Sequence, residues 1–199
     1  RVIYGSFVQE TIGFQEKIFL TGGIRVDGAS TFSADDRFQM FPKASLSYIL
    51  SNESFWKENV GSIVNRFKFR TAWGQSGGQP AGTYDRFSVY VQQSNSNRPG
   101  LVNAVLLGNQ KLKPERMTEI EVGGDIGLFE DLVSIEATYY HKKVSDLLLQ
   151  RTLAPSTGFS GILDNVGELD NKGYELMVKG VVWNSDQFQW LSTLTISHN

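Results

Sequence analysis

Apolar and polar residues alternate at every second position through most of this chain, in runs of roughly 9–12 residues, and few folds can use that pattern at that length. In NVGELDNKGYELMVKG (165–180), Tyr174, Leu176 and Val178 alternate with Glu175, Met177 and Lys179, and Val182 continues the apolar row. Successive side chains of a strand point to opposite faces, so one face must meet an apolar medium and the other a polar one. Two arrangements satisfy this: a half-wet sheet of a soluble sandwich, or a barrel wall with lipid outside and a wet lumen inside.

The pattern predicts about eight strands, at 2–12, 18–27, 43–50, 66–75, 115–128, 132–143, 173–183 and 187–197. Ile18, Leu20, Ile24 and Val26 oppose Thr21, Arg25 and Asp27; Phe67, Phe69, Thr71 and Trp73 oppose Lys68 and Arg70. Ile120, Val122 and Ile126 oppose Glu119, Glu121 and Asp125, and Val133, Ile135, Ala137 and Tyr139 oppose Glu136, Tyr140 and Lys142. Soluble strands usually run to about six residues, whereas a tilted strand crossing a bilayer needs roughly 9–11. The connections alternate as well. Short ones fall at FQEK (14–17), FED (129–131) and NSD (184–186), and long ones at 28–42, 76–114 and 144–165. Short turns on one rim and long loops on the other are the habit of outer-membrane barrels. The link at 51–65 breaks the alternation, and a short helix at Ser54–Asn59 lying on the rim accommodates it.

Composition narrows function chiefly by exclusion. A formal net charge of −2 gives no electrostatic draw toward nucleic acid. There is no cysteine for a disulfide or thiolate site, and His141 and His198 are too distant in sequence to suggest a metal cluster. No run of about 18 apolar residues is present, so no transmembrane helix is predicted. Asp35–Asp36 and the Glu119/Glu121 pair lack a nucleophile or partner, so no catalytic site is expected. Asp164, Glu168 and Asp170 match no Ca²⁺ loop spacing and read as solvated acids. Neither a metal nor a cofactor is called for. Aromatics such as Tyr4, Phe14, Tyr48, Trp73, Tyr139, Trp183 and Trp190 fall near strand ends, where interfacial girdles place them, although β-propensity alone also accounts for them. The chain opens and closes inside strands and reads as a piece of a longer protein.

Several motifs, in order, carry a resemblance. Asn109, Leu112, Pro114, Glu115, Glu121 and Gly123 make an N-x-x-L-x-P-E-x-x-x-x-x-E-x-G segment. Thr138, Tyr139, Tyr140, Lys142 and Asp146 follow, and then Asn165, Gly167, Asn171, Lys172, Gly173 and Glu175 as N-x-G-x-x-x-N-K-G-x-E. Upstream lie RVDGASTF (25–32), FPKASLSYIL (41–50) and FKFRTAWGQSGG (67–78). Across nearly the whole chain this resembles the C-terminal part of SusC/RagA-type TonB-dependent outer-membrane transporters. Ala29 stands where a second serine is usual.

The resemblance implies an all-β fold, an antiparallel transmembrane β-barrel segment contributing about 8 strands of a roughly 22-stranded, plugged barrel. Residues 1–199 would then be one part of the barrel domain, with the plug and TonB box outside this chain. It also implies TonB-driven import of an oligosaccharide or peptide, with a SusD-like surface lipoprotein as lid and outer-membrane lipid around the wall. Arg25, Asp27, Lys68, Arg70, Glu119, Glu121 and Glu175 would face the lumen and meet ligand or plug. Tyr84, Arg86, Tyr90 and Arg98, in the long 75–109 loop, would contact ligand or lid. Two other readings remain: a non-transporting barrel subunit of a larger envelope assembly, and a soluble β-sandwich binding module.

Overall fold

The computed structural model describes residues 2–33, 35–78, 82–95 and 98–199. Among these residues eleven strands form in chain order: β1 (Ile3–Phe14), β2 (Ile18–Ala29), β3 (Phe38–Ile49), β4 (Arg66–Gly78), β5 (Tyr90–Asn95), β6 (Arg98–Asn103), β7 (Leu106–Leu107), β8 (Glu115–Leu128), β9 (Val133–Thr152), β10 (Gly161–Asn184) and β11 (Gln189–His198). The helix α1 spans Ser54–Asn59, as the sequence predicts, with Trp56 stacked on Phe67 at 5.2 Å between ring centroids.

Eight strands pair antiparallel in the order β1-β2-β3-β4-β8-β9-β10-β11, an open sheet rather than a closed barrel. All eight expected wall strands are present, and each is next to its predecessor in sequence once the β5–β7 insertion is set aside. Cross-strand partners share a face. Ile18–Tyr48–Phe69–Gly124–Ala137–Leu176–Ile196 is one apolar rung, and Ser47–Arg70–Gly123–Thr138–Glu175–Ser197 is the adjacent polar one. One face of the sheet is therefore apolar and largely exposed, and the other carries the charges. Among the described residues, the only buried hydrophobic ones are Ala29, Phe32, Phe41, Leu112 and Val144, a core too small for a soluble sandwich of this length. The apolar face needs another solvent.

Short connections sit on one rim. The β1–β2 turn places Gln15 and Glu16 at φ 52° and 54°, and the β8–β9 turn carries Phe129, Glu130 and Asp131 at positive φ, which supplies a tight hairpin reversal without glycine. The rim also holds a polar knot. Lys17 donates to Glu53 at 2.8 Å, and the Tyr48 hydroxyl donates to the same carboxylate at 3.0 Å. The Lys17 hydrogen bond, then that from Tyr48, holds the Glu53 carboxyl below its ordinary pKa. A lowered folded-state pKa stabilises the rim above the ordinary carboxylate range, and the effect is lost as pH falls through the lowered value. Trp56 emission should therefore shift red as pH falls below the ordinary carboxylate range, and a Glu53→Gln variant should lack that transition.

On the opposite rim the structure corrects three expectations. The 28–42 link shortens to residues 30–37 because β3 begins at Phe38, five residues earlier than the alternation predicts, and Pro42 is tolerated in the strand. The 76–114 link contains the antiparallel β5–β6 hairpin and a parallel β7–β10 contact. The 144–165 link is mostly ladder: β9 and β10 stay paired from Val133↔Gly180 to Thr152↔Gly161, with register shifts around Gly167. Strand β10 thus runs through 165–172 and on past Gly173, bulging around Gly167. Along this stretch period-2 alternation fades while hydrogen bonding continues. There the outward positions become charged: His141 meets Asp170 at 2.8 Å, and Lys143 pairs with Glu168. That Glu168 contact raises the Lys143 pKa, first by hydrogen bonding and then by its charge.

Aromatic rings laid over cross-strand glycines pin the register. The Phe38 ring lies across Gly28 and the Phe19 ring across Gly13, and a Cβ at either glycine would stand 2.6 Å or 3.2 Å from ring carbons. Tyr140 covers Gly173 in the same way, with its hydroxyl 2.7 Å from where a Cβ would sit. The tyrosine of one sequence motif and the glycine of the next are therefore two halves of one joint.

Candidate functional site

The charged face is the concave one. Two open hollows lie on it, one of about 460 Å³ bounded by Gln9, Thr21, Lys43, Ser45, Glu119 and Glu121. The other, of about 490 Å³, is bounded by Arg70, Glu119, Glu121, Glu136, Lys142 and Glu175. Four of the residues singled out from sequence, Arg70, Glu119, Glu121 and Glu175, therefore meet around one hollow. Lys68 stands beside them, bordering a third hollow with Arg70 and Glu121. Arg25 and Asp27 sit apart and pair with each other at 2.7 Å.

Arg70 organises the centre of this face. Its guanidinium passes over Gly123, where a Cβ would stand 3.0 Å from Cζ, and reaches Asp125 at 3.1 Å and the Thr138 hydroxyl at 2.6 Å. Lys68 adds a contact to Asp125 at 3.4 Å. Three strands are tied together through a position that only glycine leaves open. Among the described residues, Glu119, Glu121 and Glu175 make no ion pair.

The long-loop rim holds the second group. Tyr84, Tyr90 and Arg98 are exposed. Arg86 is half-buried: it donates to the Phe32 carbonyl and lies 4.6 Å from the Phe87 ring centroid, so it joins loop to loop. Ala29, Phe32, Phe41 and Pro114 close around a cavity of about 20 Å³, and Leu112 beyond them is fully buried.

Asn109, Glu115 and Asn165, motif residues to which the sequence assigned no role, turn out to be clasps. Asn109 donates to the Leu163 carbonyl at 3.0 Å and to Asp164 at 3.1 Å. Asn165 accepts from the Lys113 amide at 2.9 Å and donates to the Lys113 and Asp146 carbonyls at 2.9 and 2.7 Å. Glu115 accepts from the Leu148 amide at 2.9 Å. Asp146 occupies the left-handed region at φ 56°, which a short acidic side chain tolerates where the ladder bulges. These contacts fasten 109–115 to the β9–β10 hairpin. Spacing alone had no way to show that partners more than 50 positions apart meet.

A long-stranded wall with an apolar convex face, a charged concave face, short turns on one rim and tall hairpins on the other is a segment of an outer-membrane β-barrel. A family model for TonB dependent receptor-like β-barrels matches residues 1–198, and the chain belongs to that family. It is 31% identical over 200 residues to TonB-dependent receptor P26 of Formosa agariphila, a match covering 99% of this chain and 20% of that protein. It is 26% identical over 191 residues to TonB-dependent receptor SusC of Bacteroides thetaiotaomicron, covering 92% of this chain and 19% of that one. The chain thus spans about one fifth of the length of these relatives. Its fold matches the RagAB peptide importer in its closed-closed state with a TM-score of 0.88 at 20% identity, over 98% of this chain and 21% of that one. The siderophore receptor PirA of Pseudomonas aeruginosa matches at a TM-score of 0.62 and 18% identity, over 98% of this chain and 34% of that one. The chain is a stretch of TonB-dependent receptor-like β-barrel wall, and the sandwich reading is set aside.

Proposed function

We propose that the protein carrying this wall segment imports a nutrient across the outer membrane, energised through TonB, with a SusD-like surface lipoprotein closing its extracellular mouth. The supporting observation is the family match along 1–198 together with the fold likeness to the RagAB peptide importer. An oligosaccharide or a peptide is the cargo class. TonB acts through a plug outside this segment, and the chain performs no chemistry of its own. The unpaired carboxylates Glu119, Glu121 and Glu175, with Lys68 and Arg70 beside them, line the lumen against plug or cargo. The separate Arg25–Asp27 pair faces the same lumen. Exposed Tyr84, Tyr90 and Arg98 offer contacts to lid or ligand, and Arg86 supports the loop beneath them.

The test is growth of a deletion strain on defined oligosaccharides and on peptides as the limiting nutrient, with the intact gene restored in parallel. Import predicts loss of growth on one such class, recovered by the restored gene but not by a copy lacking its TonB-contacting segment. Unaltered growth on every such nutrient that the parent uses would sink this reading and leave the non-transporting barrel.

A further inference from the structure

One carboxylate lies on the wrong face. The outward row of β1 reads Tyr4, Ser6, Val8, Glu10, Ile12 and Phe14, the residues registered with Gly28, Val26, Ile24, Gly22, Leu20 and Ile18 of β2. Glu10 stands four residues above Phe14 at the short-turn rim and six below Tyr4. With about 3.3 Å per residue and a strand tilt near 40°, its Cα lies roughly 10 Å above that rim, inside an apolar band about 25 Å tall. A charge at that depth on the lipid face is costly unless something pairs with it.

Nothing on the β2 side does so. Directly opposite is Gly22, where a Cβ would meet no atom within 4 Å, and the diagonal neighbours are Leu20 and Ile24. Along its own strand the flanking outward residues are Val8 and Ile12, and the rung continues past Gly22 to Ala44 and Trp73. Among the described residues, no hydrogen bond or ion pair reaches the Glu10 side chain. The one direction left is the free edge of β1, which begins the sheet order and pairs with another strand in a closed barrel.

We propose that the strand docking on the free edge of β1 presents an outward lysine or arginine cross-strand from Glu10, and that this pair fixes the seam between β1 and its neighbour. Directly opposed Cβ atoms lie about 5 Å apart and diagonal ones within about 8 Å, so a long cationic side chain reaches from any of three positions. The proposal concerns the wall and does not depend on transport or cargo.

The two accounts of Glu10 give opposite signs on replacement. If it only faces lipid, Glu10→Leu removes a penalty and stabilises the barrel. If a cation is paired with it, Glu10→Leu strands that cation in the band and destabilises. The experiment compares the full-length protein with E10L, E10Q and E10K in native outer membranes and after detergent extraction, reading the temperature at which the compact, heat-modifiable gel band is lost. The expected order is E10K below E10L below E10Q below the parent, with E10L lower by about 2–4 °C or more in both media. E10Q keeps the shape, so the ordering stays readable if E10L fails to assemble. An E10L barrel as stable as the parent or more so overturns the proposal. A loss seen only in membranes overturns it too, because the donor then belongs to a separate protein. Apolar residues at all three cross-strand outward positions of the docking strand would also overturn it.

Discussion

Gly173→Val is expected to abolish assembly of the β9–β10–β11 wall, while Gly180→Val, seven residues along the same strand, is expected to be tolerated. At Gly173 an added Cβ runs into the His198 carbonyl of β11 and lies 2.7–2.9 Å from the Tyr140 side chain on β9. The carbonyl is backbone, so relief requires moving a strand. Tyr140 is itself tethered by its hydroxyl to Asn199. Overpacking ordinarily costs about 1–3 kcal/mol, and a clash with paired backbone on both sides belongs at about 3 kcal/mol or beyond. At Gly180 the nearest atom to a new Cβ is the Leu132 carbonyl at 4.0 Å, and the side chain projects onto the apolar face. A β-branched residue there suits both the strand and the lipid. Yield of heat-modifiable barrel in the outer membrane reads both variants. Equal yields would show that the Tyr140–Gly173 joint does not set the register.

Leu112→Ala is expected to release the 109–115 segment from the tall hairpin without unfolding the wall. Leu112 is fully buried, the sole large side chain among the described residues with that status. Truncating such a leucine costs about 2–5 kcal/mol, according to how far the surroundings collapse. The loss falls on a local unit, because the eight-strand ladder does not run through it. Asn165→Ala removes three hydrogen bonds from the same unit and exposes the same segment, by roughly 1–3 kcal/mol. Limited proteolysis of intact cells should cut both variants within 104–114 much faster than the parent, while the heat-modifiable band persists. Cleavage at the parent rate would mean that the segment is held by something other than this clasp.

Sequence revealed the wall well and the rim poorly, for one physical reason. Inside the bilayer each strand has lipid on one side and water on the other, so Tyr174–Leu176–Val178 and Ile120–Val122 write the fold as alternation. Above the bilayer the ladder from Val144 to Thr152 has polar surroundings on both faces, and acids such as Asp164 and Asp170 look like loop although they are paired strand. The charged face was legible as a set, since parity alone groups Arg70, Glu119, Glu121 and Glu175. That Arg70 reaches Asp125 and Thr138 across Gly123 was not, because the tie spans three strands. Glu10 escaped notice because β1 shows its register only once paired with β2. Asn109 and Asn165 stood out as motif letters, and their partners 52–55 positions away became visible only in the folded hairpins.

The central claim is that the apolar face meets lipid and the charged face meets a water-filled lumen. Spin labels placed singly at 174–179 of the full-length protein in bilayers, read for collisions with oxygen and with a water-soluble nickel complex, test it residue by residue. Positions 174, 176 and 178 should favour oxygen, and 175, 177 and 179 should favour the nickel complex, in strict alternation. Uniform nickel accessibility at all six, or alternation of the opposite phase, would contradict it.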